Sequence, residues 1–186
     1  AWWLAVWQML DWHLGMAEGG DGARRRALSP ADAVTLSRFW LTAVIPGLAP
    51  SSCALTAAIV AGGASDWLDG TLARRLGRTR LGRDLDTTAD LAFHAKAAIT
   101  AHSTGRLPDL GFWAIGGREV IGITLAAGAV LGRARRPAIR ARPWGALLRT
   151  TGLAICTAGQ RRTGTLIVVI GCLVPPRSTA PHLSVA

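Results

Sequence analysis

Acidic and lysine side chains are scarce along most of this chain. The 186 residues include 11 acidic side chains against 21 lysines and arginines, and the apolar blocks contain almost no Lys or Glu. Lys and Glu normally cover the outer faces of helices in soluble bundles. Half of the residues are hydrophobic and the mean hydropathy is positive. This composition argues against a large-cored soluble domain and favours a small membrane protein.

Cysteine and nucleic-acid signatures are also sparse. The three cysteines, Cys53, Cys156 and Cys172, are widely spaced in apolar sequence, a pattern that predicts small buried side chains instead of a disulfide framework or a zinc site. No nucleic-acid-binding module is recognisable despite the net charge of +10. The arginine clusters flank hydrophobic segments, so we expect anionic lipid headgroups, not nucleic acid, as the partner.

Residues 1–28 form a distinct N-terminal region. Residues 1–18 combine four tryptophans with aliphatic side chains but have neither the basic start nor the cleavage site of a signal peptide. The apolar run before Asp11 is shorter than the roughly 20 residues that a bilayer crossing needs. We therefore predict an amphipathic helix lying in the headgroup layer, with a helix packed under the bundle as the alternative. Residues 19–28 follow as a glycine-rich, basic linker on the cytoplasmic side.

Residues 29–176 contain six apolar segments, and residues 177–186 form a tail. The last two segments are short for a membrane crossing, and Arg161 and Arg162 between them break the positive-inside pattern. Residues 132–142, with five arginines and no acid, give the strongest cytoplasmic signal. Pro46 should kink the first segment, and Arg38 should face the protein interior because a charge in lipid is costly. The predicted spans are 29–50, 53–76, 84–104, 111–131, 144–158 and 165–174.

One polar stretch, Ser65–Ala95, interrupts these segments with five of the chain's eleven acidic residues. Asp66 and Asp69 are three apart and Asp86 and Asp90 four apart, so each pair lies on one face of a helix. Four carboxylates directed at one point repel each other unless a cation lies between them. One or two Mg²⁺ or Mn²⁺ ions, which prefer oxygen ligands, are the expected occupants. The surrounding arginines suit a phosphate-rich substrate, so we predict phosphoryl chemistry.

The order of these residues resembles the signature of the CDP-alcohol phosphatidyltransferase family. It reads Asp66-x-x-Asp69-Gly70-x-x-Ala73-Arg74, then Gly82-x-x-x-Asp86-x-x-x-Asp90, eight fixed residues over 25 positions. The resemblance implies an all-α integral membrane bundle of six transmembrane helices, usually a homodimer. It also implies transfer of a phosphatidyl or similar group from a CDP-linked donor to an alcohol, with release of CMP, in phospholipid biosynthesis.

The resemblance also assigns roles to individual residues. Asp66, Asp69, Asp86 and Asp90 would form the metal site, and Asp90 would be the general base for the acceptor hydroxyl. The donor CDP group would lie against residues of the same motif. These donor-binding residues are Asp66, Gly70, Ala73, Arg74 and Gly82.

The acceptor is less defined. Arg118 and Glu119 resemble a pair in the glycerol-phosphate and inositol-phosphate branches of the family, although a structural ion pair explains them equally well. Where relatives often carry Gly-Lys before the fifth helix, this chain has Gly145-Ala146. Glycerol 3-phosphate is the favoured acceptor and inositol phosphate the second. The acceptor-binding candidates are the cytoplasm-facing Arg118, Arg142 and Arg149.

Simpler interpretations and a second function class remain open at this point. Asp84 fits a helix cap or a solvated charge, and His94 fits a packed or hydrogen-bonded side chain. The chain could also be a non-catalytic membrane protein, a divalent-cation carrier or a scaffold that retains the acidic site. A carrier should distribute acids along a transmembrane path, whereas these gather at one membrane face, so we favour an enzyme of the cell membrane with its active site facing the cytoplasm.

Overall fold

The computed structural model describes residues 4, 7–8, 29–77, 80–131, 138–140, 143–175 and 177–179. The predicted interfacial helix and linker lie almost wholly outside these residues, although Leu4, Trp7 and Gln8 are helical. From residue 29 onward, the described residues form six α-helices, one 3₁₀ helix and two short strands. They are α1 (Pro30–Val44), the 3₁₀ helix (Ile45–Leu48), α2 (Ser52–Leu76), α3 (Arg80–Ser103), α4 (Asp109–Leu131), β1 (Ala138–Arg140), α5 (Pro143–Thr157), α6 (Arg161–Leu173) and β2 (Arg177–Thr179).

The six apolar segments of the sequence correspond to the six helices, so the helical class is confirmed. Among the residues that the structure describes, no helix combines the length and the apolar character that a bilayer crossing requires. The two strands were not predicted. They pair antiparallel, with Ala138 opposite Thr179, inside the segments that the sequence analysis treated as a basic loop and a tail.

The chain divides into two compact units, Ala1–Thr100 and Ala101–Ala186, with the boundary inside α3. In the first unit, α1 begins with a capping box: the Ser29 hydroxyl accepts from the Asp32 amide, and the Asp32 carboxylate accepts from the Ser29 amide. These bonds satisfy backbone donors that the first turn leaves unpaired. At its other end, Pro46 does not kink a continuous helix as predicted, because α1 ends at Val44 and the chain continues as the 3₁₀ helix.

Helices α2 and α3 approach each other closely at Gly62. A Cβ atom at this position would lie 2.1 Å from the Phe93 ring, so only glycine leaves room for the phenyl group. A small residue at this position therefore allows the two helices to pack closely. Helix α3 begins at Arg80, so Asp84 lies inside it and not before it as predicted. The apolar core of this unit centres on Phe39, Leu85 and Ala89.

The second unit contains α4, β1, α5, α6 and β2. Helices α5 and α6 form a tight hairpin, since Cβ atoms at Gly152 and Gly164 would lie within 2.6 Å of backbone nitrogens of the facing helix. Arg161 starts α6 and is not a loop residue as predicted. The cysteine prediction is confirmed for the buried Cys156, but Cys53 is exposed, because it lies in the first turn of α2.

Candidate metal centre and active site

Three helices of the first unit supply the candidate site. Asp66 and Asp69 lie on α2, one to two turns after the Gly62 contact with Phe93, and Asp86 and Asp90 lie on α3. The close contact between α2 and α3 therefore brings together carboxylates that are up to 24 residues apart in sequence. The predicted convergence of four acids from two helices is what the structure shows, because all four contact the same guanidinium.

That guanidinium belongs to Arg38 of α1, whose side chain has no solvent exposure. Its Nη2 lies 2.6 Å from Asp69 Oδ2 and 3.5 Å from Asp66 Oδ1. Its Nη1 lies 2.5 Å from Asp90 Oδ1 and 3.3 Å from Asp86 Oδ1. The expectation that Arg38 faces the protein interior is thus confirmed. Its contact with every acid of the motif was not predicted.

Two hydroxyl groups, those of Thr35 and Ser65, add hydrogen bonds to this cluster. Thr35, one turn before Arg38, donates to Asp69 Oδ2 at 2.8 Å, and both side chains are buried. The Ser65 hydroxyl accepts from Arg38 Nε at 3.3 Å and donates to the Gly62 carbonyl at 2.7 Å. Thr35 and Ser65 were not predicted as site residues. The available signal was helical spacing, since Thr35 and Arg38 are three residues apart on one helix face.

The donor set fits a hard divalent cation. Asp66, Asp69 and Asp86 each place one carboxylate oxygen within 4.8 Å of the other two, and oxygen donors of this kind suit Mg²⁺ or Mn²⁺. Four ionised carboxylates facing one guanidinium carry an excess of negative charge, which a divalent ion would offset. Asp90 is not a member of this group of three, and its side chain is 32 % exposed.

The other residues of the motif lie on the same two helices as the acids. Gly70 and Ala73 are half-buried on α2, and Gly82 is half-buried on α3. Arg74 is exposed, and its Nη2 donates to Thr71 at 2.9 Å instead of to a carboxylate. Its predicted role in donor binding remains a prediction.

His94, which the sequence analysis kept off the site, is buried one turn after Asp90. Its Nδ1 lies 3.0 Å from the Asp90 carbonyl, and its ring packs edge-on against Phe93. This is the packed, hydrogen-bonded histidine that was expected.

The predicted acceptor residues belong to a different part of the chain. Arg118 and Arg149 lie in the second unit, and Arg142 lies outside the described residues. Glu119 pairs with Arg149 at 3.9 Å, a contact between side chains that are both mostly buried. Among the residues that the structure describes, none is a hydrogen-bond partner of the buried Arg149 Nε. Arg118 lines a mostly apolar cavity of about 260 Å³ together with Trp113, Ala114, Gly117, Ile121, Val169, Cys172 and Leu173.

Comparison with known proteins places this geometry in a family. No solved structure matches the chain. The sequence profile of the CDP-alcohol phosphatidyltransferases matches residues 28–183, a range that includes the four convergent carboxylates. Members of this family are transferases of substituted phosphate groups that use CDP-alcohol donors and generally depend on a divalent metal. The match covers most of the sequence, and the chain therefore belongs to the CDP-alcohol phosphatidyltransferase family.

Proposed function

We propose that this chain transfers a phosphatidyl group from CDP-diacylglycerol to a phosphorylated alcohol and releases CMP. Glycerol 3-phosphate is the favoured acceptor and inositol phosphate the second. The observation that supports the proposal is the convergence of Asp66, Asp69, Asp86 and Asp90 at one point between two helices. A donor with two phosphates needs positive charge beside it, and this carboxylate cluster is suited to hold that charge as metal ions.

Asp66, Asp69 and Asp86 would hold Mg²⁺ or Mn²⁺, since their oxygens form the compact group. When bound, the metal would offset the charge of the diphosphate and of the departing CMP. Burial of Asp69 and its hydrogen bond from Thr35 fix the orientation of that carboxylate before substrate arrives. Such preorganisation keeps a ligand from reorienting during the reaction.

Asp90 is the proposed general base. Its partial exposure lets an acceptor hydroxyl reach the carboxylate, whereas Asp69 is buried. Asp90 takes the hydroxyl proton while the acceptor oxygen bonds to the phosphorus that carries the lipid. The bond between this phosphorus and the oxygen that bridges to the cytidylate phosphate breaks, and CMP leaves with the electron pair.

The proposal also covers the cellular location, the oligomeric state and the ligands of the acceptor phosphate. We place the chain in the cell membrane as a multi-pass protein with the acid cluster on the cytoplasmic side, because basic segments such as residues 132–142 flank apolar ones. The homodimer is proposed from the family resemblance alone. Arg118, Arg142 and Arg149 are the proposed ligands of the acceptor phosphate. The buried Arg149 Nε, which has no hydrogen-bond partner among the described residues, supports this role for Arg149.

The test is CMP release by the purified chain given CDP-diacylglycerol and a panel of free and phosphorylated alcohols. We expect turnover with one phosphorylated acceptor and its loss in Asp90→Asn, which keeps the shape of the side chain but cannot accept the proton. Asp109→Asn is the matched control, because Asp109 is exposed in the second unit. Full turnover by Asp90→Asn would refute the base assignment. Absence of CMP release with every acceptor, from folded protein that binds metal, would favour a non-catalytic carrier or scaffold.

A further inference from the structure

All three guanidinium nitrogens of Arg38 donate hydrogen bonds within the site. A guanidinium carries five N–H groups in a fixed fork, and those of Arg38 face one hydroxyl and four carboxylates. Nε donates to Ser65, and each terminal nitrogen lies between two aspartates. The side chain has no solvent exposure. Within the described part of the chain, Arg38 donates to Ser65, Asp69, Asp86 and Asp90 and lies within ion-pair distance of Asp66.

The guanidinium and a divalent cation would draw on the same carboxylates. Asp66, Asp69 and Asp86 form the metal-compatible group, and each of them also contacts Arg38 at 3.5 Å or less. Arginine stays protonated in proteins, so its positive charge is permanent. Two cations that share ligands at such short range repel each other, and each lowers the affinity of the site for the other.

We propose that Arg38 is the internal counter-cation of the metal-free site: it holds the four carboxylates together before a divalent ion arrives and competes with that ion for them. The inference rests on the metal binding assigned under the proposed function. Arg38 is then a positioning residue that sets the metal affinity of the cluster. This role also explains why α1, which contributes no residue to the acidic motif, directs a buried cation at the acid cluster.

The first test is a titration of Mn²⁺ into the purified full chain, with free Mn²⁺ followed by its electron paramagnetic resonance signal. We expect Arg38→Gln to bind Mn²⁺ at least tenfold more tightly than the unmodified chain, because the competing charge is gone. The matched control is Arg75→Gln, the same change at an exposed position on α2, with a dissociation constant within about twofold of the unmodified one, since exposed charges are screened. Equal or weaker binding by Arg38→Gln would overturn the proposal.

The second test measures thermal unfolding with a chelator and with saturating Mn²⁺. We expect Arg38→Gln to lower the melting temperature strongly in chelator, where the carboxylates repel unopposed, and much less with Mn²⁺. An equal loss in both conditions would indicate a packing role only and would overturn the proposal. If Arg38→Gln gives no folded protein, Arg38→Lys decides, because an ammonium reaches fewer of the carboxylates: Mn²⁺ binding should tighten at least threefold, and unchanged binding would overturn the proposal.

These outcomes separate the inference from the proposed function. If the unmodified chain binds Mn²⁺ but Arg38→Gln binds it no better, only the role of Arg38 fails. If neither protein binds Mn²⁺, the metal site itself is refuted, and the counter-cation role fails with it.

Discussion

Substitution of Gly62 by alanine is the sharpest test of how the two acid-bearing helices are held together. The added Cβ would lie 2.1 Å from Phe93 Cζ and 2.5 and 2.6 Å from its Cε atoms, whereas carbon atoms pack at about 3.5–4.0 Å. The Phe93 ring is 1 % exposed, so it cannot move away without displacing its neighbours. Overpacking of this kind costs about 1–3 kcal/mol, and alanine in a helix recovers about 1 kcal/mol.

We therefore expect Gly62→Ala to lower the free energy of unfolding by up to about 2 kcal/mol. The separation of α2 from α3 should also weaken Mn²⁺ binding, because Asp66 and Asp69 follow Gly62 on the same helix. Denaturant unfolding and Mn²⁺ titration measure the two effects. Gly116→Ala is the control, since a Cβ there meets nothing within 4 Å, and it should stabilise the chain by up to about 1 kcal/mol.

A double variant locates the cause. Phe93→Leu removes part of the ring that the new Cβ would strike, so the cost of Gly62→Ala should be smaller in the Phe93→Leu background than in the unmodified chain. If Gly62→Ala stabilises the chain as much as Gly116→Ala does, the close contact between α2 and α3 is refuted as the element that brings the carboxylates together.

Three further outcomes follow from the contacts of the first unit and from the metal assignment. Thr35→Val should destabilise the chain by about 1–3 kcal/mol, because the buried Asp69 carboxylate loses a donor, whereas Thr124→Val, at an exposed position, should have little effect on denaturant unfolding. Ser29→Ala should cost about 1 kcal/mol through loss of the capping box at α1, with the exposed Ser37→Ala as its control. A chelator should abolish CMP release, and added Mg²⁺ or Mn²⁺ should restore it; activity that persists in chelator would contradict the metal assignment.

The acid motif and the helical class could be predicted because both depend on local spacing. Aspartates three or four residues apart share a helix face whatever surrounds them, and the apolar segments were long enough to identify six helices. The family followed from the same residues. Element boundaries were less well predicted: α3 starts at Arg80 and not at Asp84, so residues 80–83 belong to the helix.

Other features depend on contacts between residues distant in sequence. The pairing of β1 with β2 joins Ala138 to Thr179, and neither segment carries an alternating pattern long enough to predict a strand. The pairing of Glu119 with Arg149 could not be distinguished from a pair between Arg118 and Glu119, because all of these side chains lie in apolar segments that require buried charges to find partners.

The amino-acid order alone determines which carboxylates belong together and which chemistry they suit, because ligand type and helical spacing are written into the motif. Only the tertiary structure determines that the four carboxylates contact the guanidinium of Arg38. Arg38 is 28 residues before Asp66 and 52 before Asp90, and helix packing brings its guanidinium among all four acids. A local sequence pattern cannot predict a contact between residues so far apart in sequence, since side chains on different helices become neighbours only when the helices pack.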